Sequence, residues 1–272
     1  MDMATKTMPP AVILCGGYGT RLRDVTEQLP KPMVPVGPQP ILWHIMKIYA
    51  AFGVRRFILC LGYKRDIFID YFLHYHAHAC DVTIKLGKGE NITYHGSHQE
   101  EDWEVTLADT GLDTMTGGRV YKAAKHLRQD DREFFFTYGD AVSDLDVGAL
   151  YRHHLAEGKK ITLTAVHPSG RFGEISLDDH GLVKGFQEKP QTTEGYVNGG
   201  FMVVNREVVG TLLSAEDQSF ESAPMHQATQ LGELCAFRHD GFWQCMDTPR
   251  EYQILNQLWA GGDAPWTKHW KR

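Results

Sequence analysis

The 272-residue chain carries 28 Lys and Arg against 34 Asp and Glu, a formal charge of −6, which excludes the extended positive field that broad nucleic-acid or acidic-membrane binding requires. Its 42% hydrophobic and 23% charged residues describe an ordinary globular protein and exclude a disordered chain or a fibre. Five cysteines, at 15, 60, 80, 235 and 245, form no CxxC pair, so reduced thiols of a cytoplasmic protein are expected rather than a disulfide frame.

Residues 1–10, MDMATKTMPP, lack the apolar run of a signal peptide, and no later segment is long and uncharged enough to span a bilayer. A mobile tail is expected up to Pro9 or Pro10, followed by a single domain over 11–272. Ala11–Leu14 has the bulk of a short strand buried on both faces. The turn after it holds Gly16, Gly17, Tyr18 and Gly19, where missing Cβ atoms allow positive φ and let backbone amides converge on an anion. Thr20, Arg21 and Lys31 add a hydroxyl and mobile positive charge, so a phosphate-binding turn is expected at the carboxyl end of the first strand. It is not a P-loop, because Thr20-Arg21 stands where Lys-Ser/Thr should follow the last glycine. Nor is it the dinucleotide fingerprint, since Leu22 occupies the third small position.

Apolar residues from Ile41 to Phe52 recur at helical spacing and stop at Gly53. Arg56 to Leu61 reads as a buried strand, 64–79 as a helix, and Val82 to Leu86 and Ile92 to His95 as strands. The segment from Trp103 to Arg119, WEVTLADTGLDTMTGGR, reads as a strand entering a Thr- and Gly-rich loop, with a helix over 119–128 and a strand at Glu133 to Tyr138. Strands alternating with helices predict an α/β core built on a mostly parallel sheet. The second half has short strands at Ile161 to Val166, Gly173 to Leu177, Leu182 to Gln187 and Phe201 to Asn205, expected as added hairpins beside a cleft. A final helix covers Glu251 to Ala260, and the two tryptophans of the tail APWTKHWKR are expected to pack on a neighbouring surface.

Two carboxylates stand where apolar strands meet turns, Asp140 in FFFTYGD and Asp247 in GFWQCMDT. Strand-end carboxylates often hold magnesium in phosphate chemistry, although a lone one serves equally well as a cap. His74, His76 and His78 share a helix, but no cysteine or carboxylate stands at ligand spacing, so these and the pair His153 and His154 are expected to be surface histidines.

The phrases CGGYGTRL and LPKPMVPVG, followed in order by QPILWHIMKIYAAFG, VTLADTGLDTMTGGR, FTYGD, SGRFGEISL, FQEKP, VNGGFMVVN and FWQCMDTPREY, resemble the sugar-1-phosphate nucleotidyltransferases, and the later ones their glucose-1-phosphate cytidylyltransferase branch. The resemblance runs from Ala11 to about Trp266. It implies a Rossmann-like three-layer fold with a mixed, mostly parallel sheet and an added β-rich sugar-binding lobe, with 11–145 as the nucleotide-binding half and 146–272 as the sugar-binding half. The implied reaction is attack of glucose 1-phosphate on the α-phosphorus of CTP with Mg²⁺, in subunits that assemble with copies of themselves. Arg21 and Lys31 take the catalytic roles. Leu14, Gly16, Gly17, Tyr18, Gly19, Thr20, Arg21, Thr114, Arg119 and Gly139 hold the nucleotide. Glu188, Lys189, Asn198 and Arg171 hold the sugar phosphate, and Asp140 and Asp247 the metal. UTP or dTTP as donor, another phosphorylated acceptor, or a regulator that binds nucleotide sugars without turnover remain as alternatives. The chain departs from the family pattern at Cys15, Leu29 and Ala141, where Ala, Lys and Gly are usual; Ala141 is expected to narrow a cleft-lining turn by one methyl.

Overall fold

The buried runs of the sequence meet in one seven-stranded sheet. The computed structural model describes residues 8–18, 28–87, 91–168, 174–177, 183–187, 195–214 and 217–270. The strands of this sheet are, in chain order, β1 (Ala11–Leu14), β2 (Arg56–Leu61), β3 (Glu104–Asp109), β4 (Glu133–Tyr138), β5 (Ile161–Val166), β6 (Val197–Asn205) and β7 (Leu234–His239). Their order across the sheet is β7-β5-β6-β4-β1-β2-β3, and only β6 runs against the rest. β1 lies between β2 and β4, with Val12 opposite both Ile58 and Phe136. That central position explains why its residues are apolar without alternation: both faces are covered.

Side chains alternate between two cores. Ala11, Ile13, Phe57, Leu59 and Phe135 face a helix α1 (Ile41–Ala50), whereas Val12, Leu14, Ile58, Phe134 and Phe136 face the opposite layer. Each fully buried Phe contributes about 1.5–3 kcal/mol of burial before its chain-entropy cost. α2 (Arg65–Leu73) and α3 (Tyr75–Ala79) follow β2, and α4 (Thr116–Ala123) follows β3 on the second face. α5 (Val147–Glu157), not expected from the sequence, starts at Asp146, whose carboxylate accepts the Ala149 amide at 2.7 Å, and stops at Gly158 with φ 62°. α6 (Ala223–Gln230) and α7 (Pro249–Ala260) complete the helical layers.

Three expectations change. Ile161–Val166 and Phe201–Asn205 are not added hairpins but lie within β5 and β6 of the main sheet, because their residues are buried on both faces. Glu174–Leu177 and Val183–Gln187 do form a separate two-stranded sheet. Pro9 and Pro10 do not belong to a mobile tail: both are buried, and the Pro10 carbonyl accepts the Phe135 amide at 2.8 Å. The C-terminal tryptophans pack within the chain. Trp266, 1% exposed, donates from Nε1 to Nδ1 of the buried His44 at 3.2 Å, and His44 Nε2 donates to the Val36 carbonyl at 2.8 Å. Trp259 and Trp270 pack on the same imidazole, whose burial pushes its pKa down to about 4.

Candidate functional site

The carboxyl ends of β1 and β4 open into a cavity of about 510 Å³. The two strand ends are drawn together by the Gly139 amide, which donates to the Leu14 carbonyl at 3.0 Å. A Cβ at Gly139 would lie 2.7 Å from that carbonyl oxygen and 2.9 Å from Pro32 Cγ, so no larger residue fits. Asp140 follows directly. The next residues, Ala141–Ser143, pair antiparallel with Trp243–Cys245, and the Met246 amide donates to the Asp140 carbonyl at 2.9 Å. This short ladder brings Asp247, 107 positions further along the chain, to the same cavity wall as Asp140.

Asp247 is fixed from behind by the start of α7. Thr248 caps that helix, and the Glu251 carboxylate accepts the amides of Thr248 at 2.8 Å and Asp247 at 2.7 Å, a reciprocal capping box. The Asp247 side chain is thereby left to face the cavity.

Lys31 begins a single 3₁₀ turn, Lys31–Met33, after Pro30. Its ammonium donates to Asp140 Oδ2 at 2.7 Å and also to Asp247 Oδ1. Burial alone would pull its pKa down; the Asp140 carboxylate, with Asp247 beside it, outweighs this and holds the pKa above the ordinary lysine value. The wall is thus two carboxylates and one permanent cation, a net local charge of −1.

The opposite wall is built around Arg119 in α4, 5% exposed. Its Nη1 donates to the Leu61 carbonyl, the Thr110 hydroxyl and the Gly111 carbonyl at 3.2, 2.8 and 2.8 Å, and its Nη2 to the carbonyls of Gly16 and Leu112 at 3.1 and 2.9 Å. These five acceptors are neutral, so among the described residues no carboxylate meets the guanidinium at hydrogen-bond range. Burial lowers its pKa from the ordinary value. A Cβ on Gly16 would sit 2.1 Å from Arg119 Nη1. Gly16 is therefore glycine because the guanidinium stacks against it, and neither it nor Gly17 takes the positive φ expected of them. The helix expected over 119–128 instead spans Thr116–Ala123, so Arg119 sits inside it rather than at its start. Nearer the mouth, the Tyr18 hydroxyl donates to Asp113 Oδ1 at 2.6 Å.

Leu14, Gly16, Gly17, Tyr18, Lys31, Thr114, Arg119, Gly139, Asp140 and Asp247 all line this one cavity. Gly19, Thr20, Arg21, Arg171, Glu188 and Lys189 lie outside the described residues. Asn198 does not line the cavity: it is the second residue of β6, opposite Ala165, and its side chain accepts the Gly200 amide at 3.0 Å. Ala141 narrows no cleft, because its side chain is buried in the ladder with Cys245. Sequence reasoning missed Asp113, Tyr138 and Glu251. Only Glu251 left a signal, the Thr-Pro-x-Glu spacing of a capping box.

A sequence model of the family described as "Nucleotidyl transferase" matches residues 10–244. The chain belongs to that family. A curated nucleotidyltransferase, "Glucose-1-phosphate cytidylyltransferase" of Salmonella typhi, is 47% identical over 261 residues, covering 96% of this chain and 99% of the relative. The Bacillus subtilis protein named "Probable glucose-1-phosphate cytidylyltransferase" is 39% identical over 94% of this chain and 98% of its own length. Among solved structures, HddC from Yersinia pseudotuberculosis superposes with a TM-score of 0.64 at 24% identity, covering 93% of this chain and all of that one; this likeness speaks for the fold. The mixed α/β architecture with its largely parallel central sheet is thus that of the nucleotidyltransferases. No helix among the described residues is long and apolar enough to cross a membrane.

Proposed function

We infer that the chain transfers CMP from CTP to α-D-glucose 1-phosphate, giving CDP-glucose and pyrophosphate. The observation that carries this reading is the convergence of Lys31, Asp140 and Asp247 on one cavity whose far wall holds the buried guanidinium of Arg119. The choice of CTP and glucose 1-phosphate follows the 47% identity, over nearly both full lengths, with the Salmonella typhi cytidylyltransferase.

The nucleophile is a phosphate oxygen that is already anionic near neutral pH, so no general base is required. What remains is to hold two mutually repelling anions in line and to neutralise charge as the α-phosphorus is attacked. Residues 11–145 supply the nucleotide half of the cleft and 146–272 the sugar half. The Gly16–Tyr18 turn, with Gly19, Thr20 and Arg21 beyond it, holds the triphosphate. Thr114, Arg119 and Gly139 shape the site for base and ribose, with Arg119 adding a fixed positive potential. The sugar-phosphate roles of Arg171, Glu188 and Lys189 rest on the family resemblance of their segments, and Asn198, which does not line the cavity, is not given one.

Asp140 and Asp247 would hold a Mg²⁺ ion. The donor set fits: two hard carboxylates already converge on one cationic nitrogen, and each side chain is about a third exposed, at 30% and 35%, leaving room for coordinated water. Such an ion supplies charge neutralisation at the phosphates. The Lys31 ammonium, at the same wall, would add a second positive charge for the α-phosphate.

The test is pyrophosphate release from each of CTP, UTP, dTTP, GTP and ATP against a panel of sugar 1-phosphates, with and without Mg²⁺. Turnover strongly favouring CTP with glucose 1-phosphate is expected. Preference for another pair would replace the substrates, and tight binding without release would replace catalysis by sensing.

A further inference from the structure

A second cavity, of about 380 Å³, shares no lining residue with the first. It lies between α3 and the loop 96–103, which returns the Asp81–Lys85 and Asn91–His95 hairpin to β3. His76 of α3 and His98 and Glu101 of the loop line it, with ligand atoms all within 4.8 Å of one another. Among the described residues this is the one group of three or more His, Cys, Asp or Glu that converges so closely. His76 is therefore not the plain surface histidine that its own helix suggests; its partners lie 22 and 25 positions further on.

The two ring nitrogens, in hydrogen-bond contact without an ion, are spaced so that both could reach one. His98 Nε2 lies 3.2 Å from His76 Nδ1, and two nitrogens on Zn–N bonds of about 2.0–2.1 Å meeting at the tetrahedral angle are roughly 3.3 Å apart. Glu101 is tethered to the same loop, its Oε1 accepting the His98 amide at 3.3 Å. On the other edge of the His98 ring, Nδ1 stands 3.2 Å from the Glu100 amide nitrogen and 3.5 Å from Glu100 Oε2; ligation through Nε2 takes the tautomer whose protonated Nδ1 turns to that carboxylate. The Glu100 side chain is 8% exposed and is itself held by Lys47 Nζ at 2.8 Å. A buried, anchored carboxylate behind the second ring nitrogen is the outer partner that metal-bound imidazoles take. Two nitrogens and one oxygen suit Zn²⁺, Co²⁺ or Ni²⁺ rather than Mg²⁺ or Ca²⁺, which prefer oxygen alone.

We propose that His76, His98 and Glu101 form a transition-metal site of the zinc type, separate from the Asp140–Asp247 pair, with its fourth position open to the second cavity. A bound ion ties α3 to the loop 96–103 and so fixes the root of the hairpin. The full chain, saturated with Mg²⁺ to occupy oxygen-only sites, is titrated with Co²⁺ while its visible d–d absorption is followed, and Zn²⁺ is then added as competitor. Uptake of one equivalent with the strong bands of a four-coordinate ion, displaced by Zn²⁺, is expected. His98→Ala and His76→Gln should each weaken that affinity by at least about tenfold, while His74→Ala, on the neighbouring turn, should leave it unchanged. Zn²⁺ should also raise the melting temperature of the parent chain and not that of His98→Ala, with circular dichroism showing both folded. Absence of four-coordinate Co²⁺ bands in the parent chain overturns the proposal, and so does equal affinity in the His98 and His76 variants.

Discussion

Two cations line the same cavity and are held in opposite ways. Lys31 is held by formal charge, between the carboxylates of Asp140 and Asp247; Arg119 is held by dipoles, four carbonyls and a hydroxyl. The difference separates two kinds of work. An ammonium paired with two part-exposed carboxylates can exchange them for other anions without leaving a buried group unpaired. A guanidinium in a dry cage of backbone oxygens cannot move without orphaning its acceptors, so it contributes shape and a fixed field.

The largest effect should come from removing charge at the exchanging wall. Asp247→Asn is expected to lower kcat by about 10³-fold, because a carboxylate aimed at the metal is replaced by a near-isosteric neutral amide. Its melting temperature should stay close to that of the parent, since the α7 cap depends on Thr248 and Glu251 rather than on this side chain. Near-normal turnover would remove Asp247 from the site. Lys31→Met should follow, with a loss of about 10²-fold in kcat and a smaller change in KM. An effect confined to KM would mean that the ammonium serves binding alone and not the transition state.

The dipole-held wall should respond in stability instead. Arg119→Lys keeps the charge but lacks the planar fork, so it strands several of the oxygens of Gly16, Leu61, Gly111 and Leu112 and should cost about 3 kcal/mol in urea unfolding. A variant of parental stability that fails only to bind CTP would show that Arg119 serves the ligand and not the architecture. His44 extends the comparison to a buried polar group kept uncharged. Its folded pKa, about 4, lies below the ordinary 6.5, so the unfolded chain binds the extra proton. The corresponding stability is complete above about pH 6.5 and is lost as pH falls towards 4, reaching roughly 2 kcal/mol by pH 5. Unfolding midpoints of the parent and of His44→Gln, measured from pH 7.5 to 5, should converge as pH falls; parallel curves would contradict this assignment.

How far the sequence disclosed all this depended on the range of the interaction. β2, β4 and β5 were legible to the residue, because burial on both faces leaves a short apolar run bounded by turn residues. That β5 and β6 join the main sheet was not, since pairing partners far apart in sequence leave no local mark. Asp140 and Asp247 could be picked as strand-end carboxylates, but the ladder that joins them is three residues long on each side and visible only in space. Gly16 was read correctly as a position needing glycine for the wrong physical reason: a guanidinium 103 positions away fills the space, not a turn. The same blindness to distance hid the partners of His76.

The smallest effect sharpens the comparison most. Tyr18 does the same topological job as Arg119, tying the glycine turn to the 110–115 segment across the cavity mouth, yet its hydroxyl bonds Asp113 in the open, with the tyrosine 45% exposed. Water can replace either partner, so nothing is orphaned when the bond is lost. Tyr18→Phe is therefore expected to leave the unfolding midpoint unchanged and to alter KM for CTP by no more than about threefold. The two residues bridge the same pair of segments, so a large loss from Tyr18→Phe would mean that the bridge itself matters wherever it is made. A small one, beside the stability loss in Arg119→Lys, would place the difference in burial.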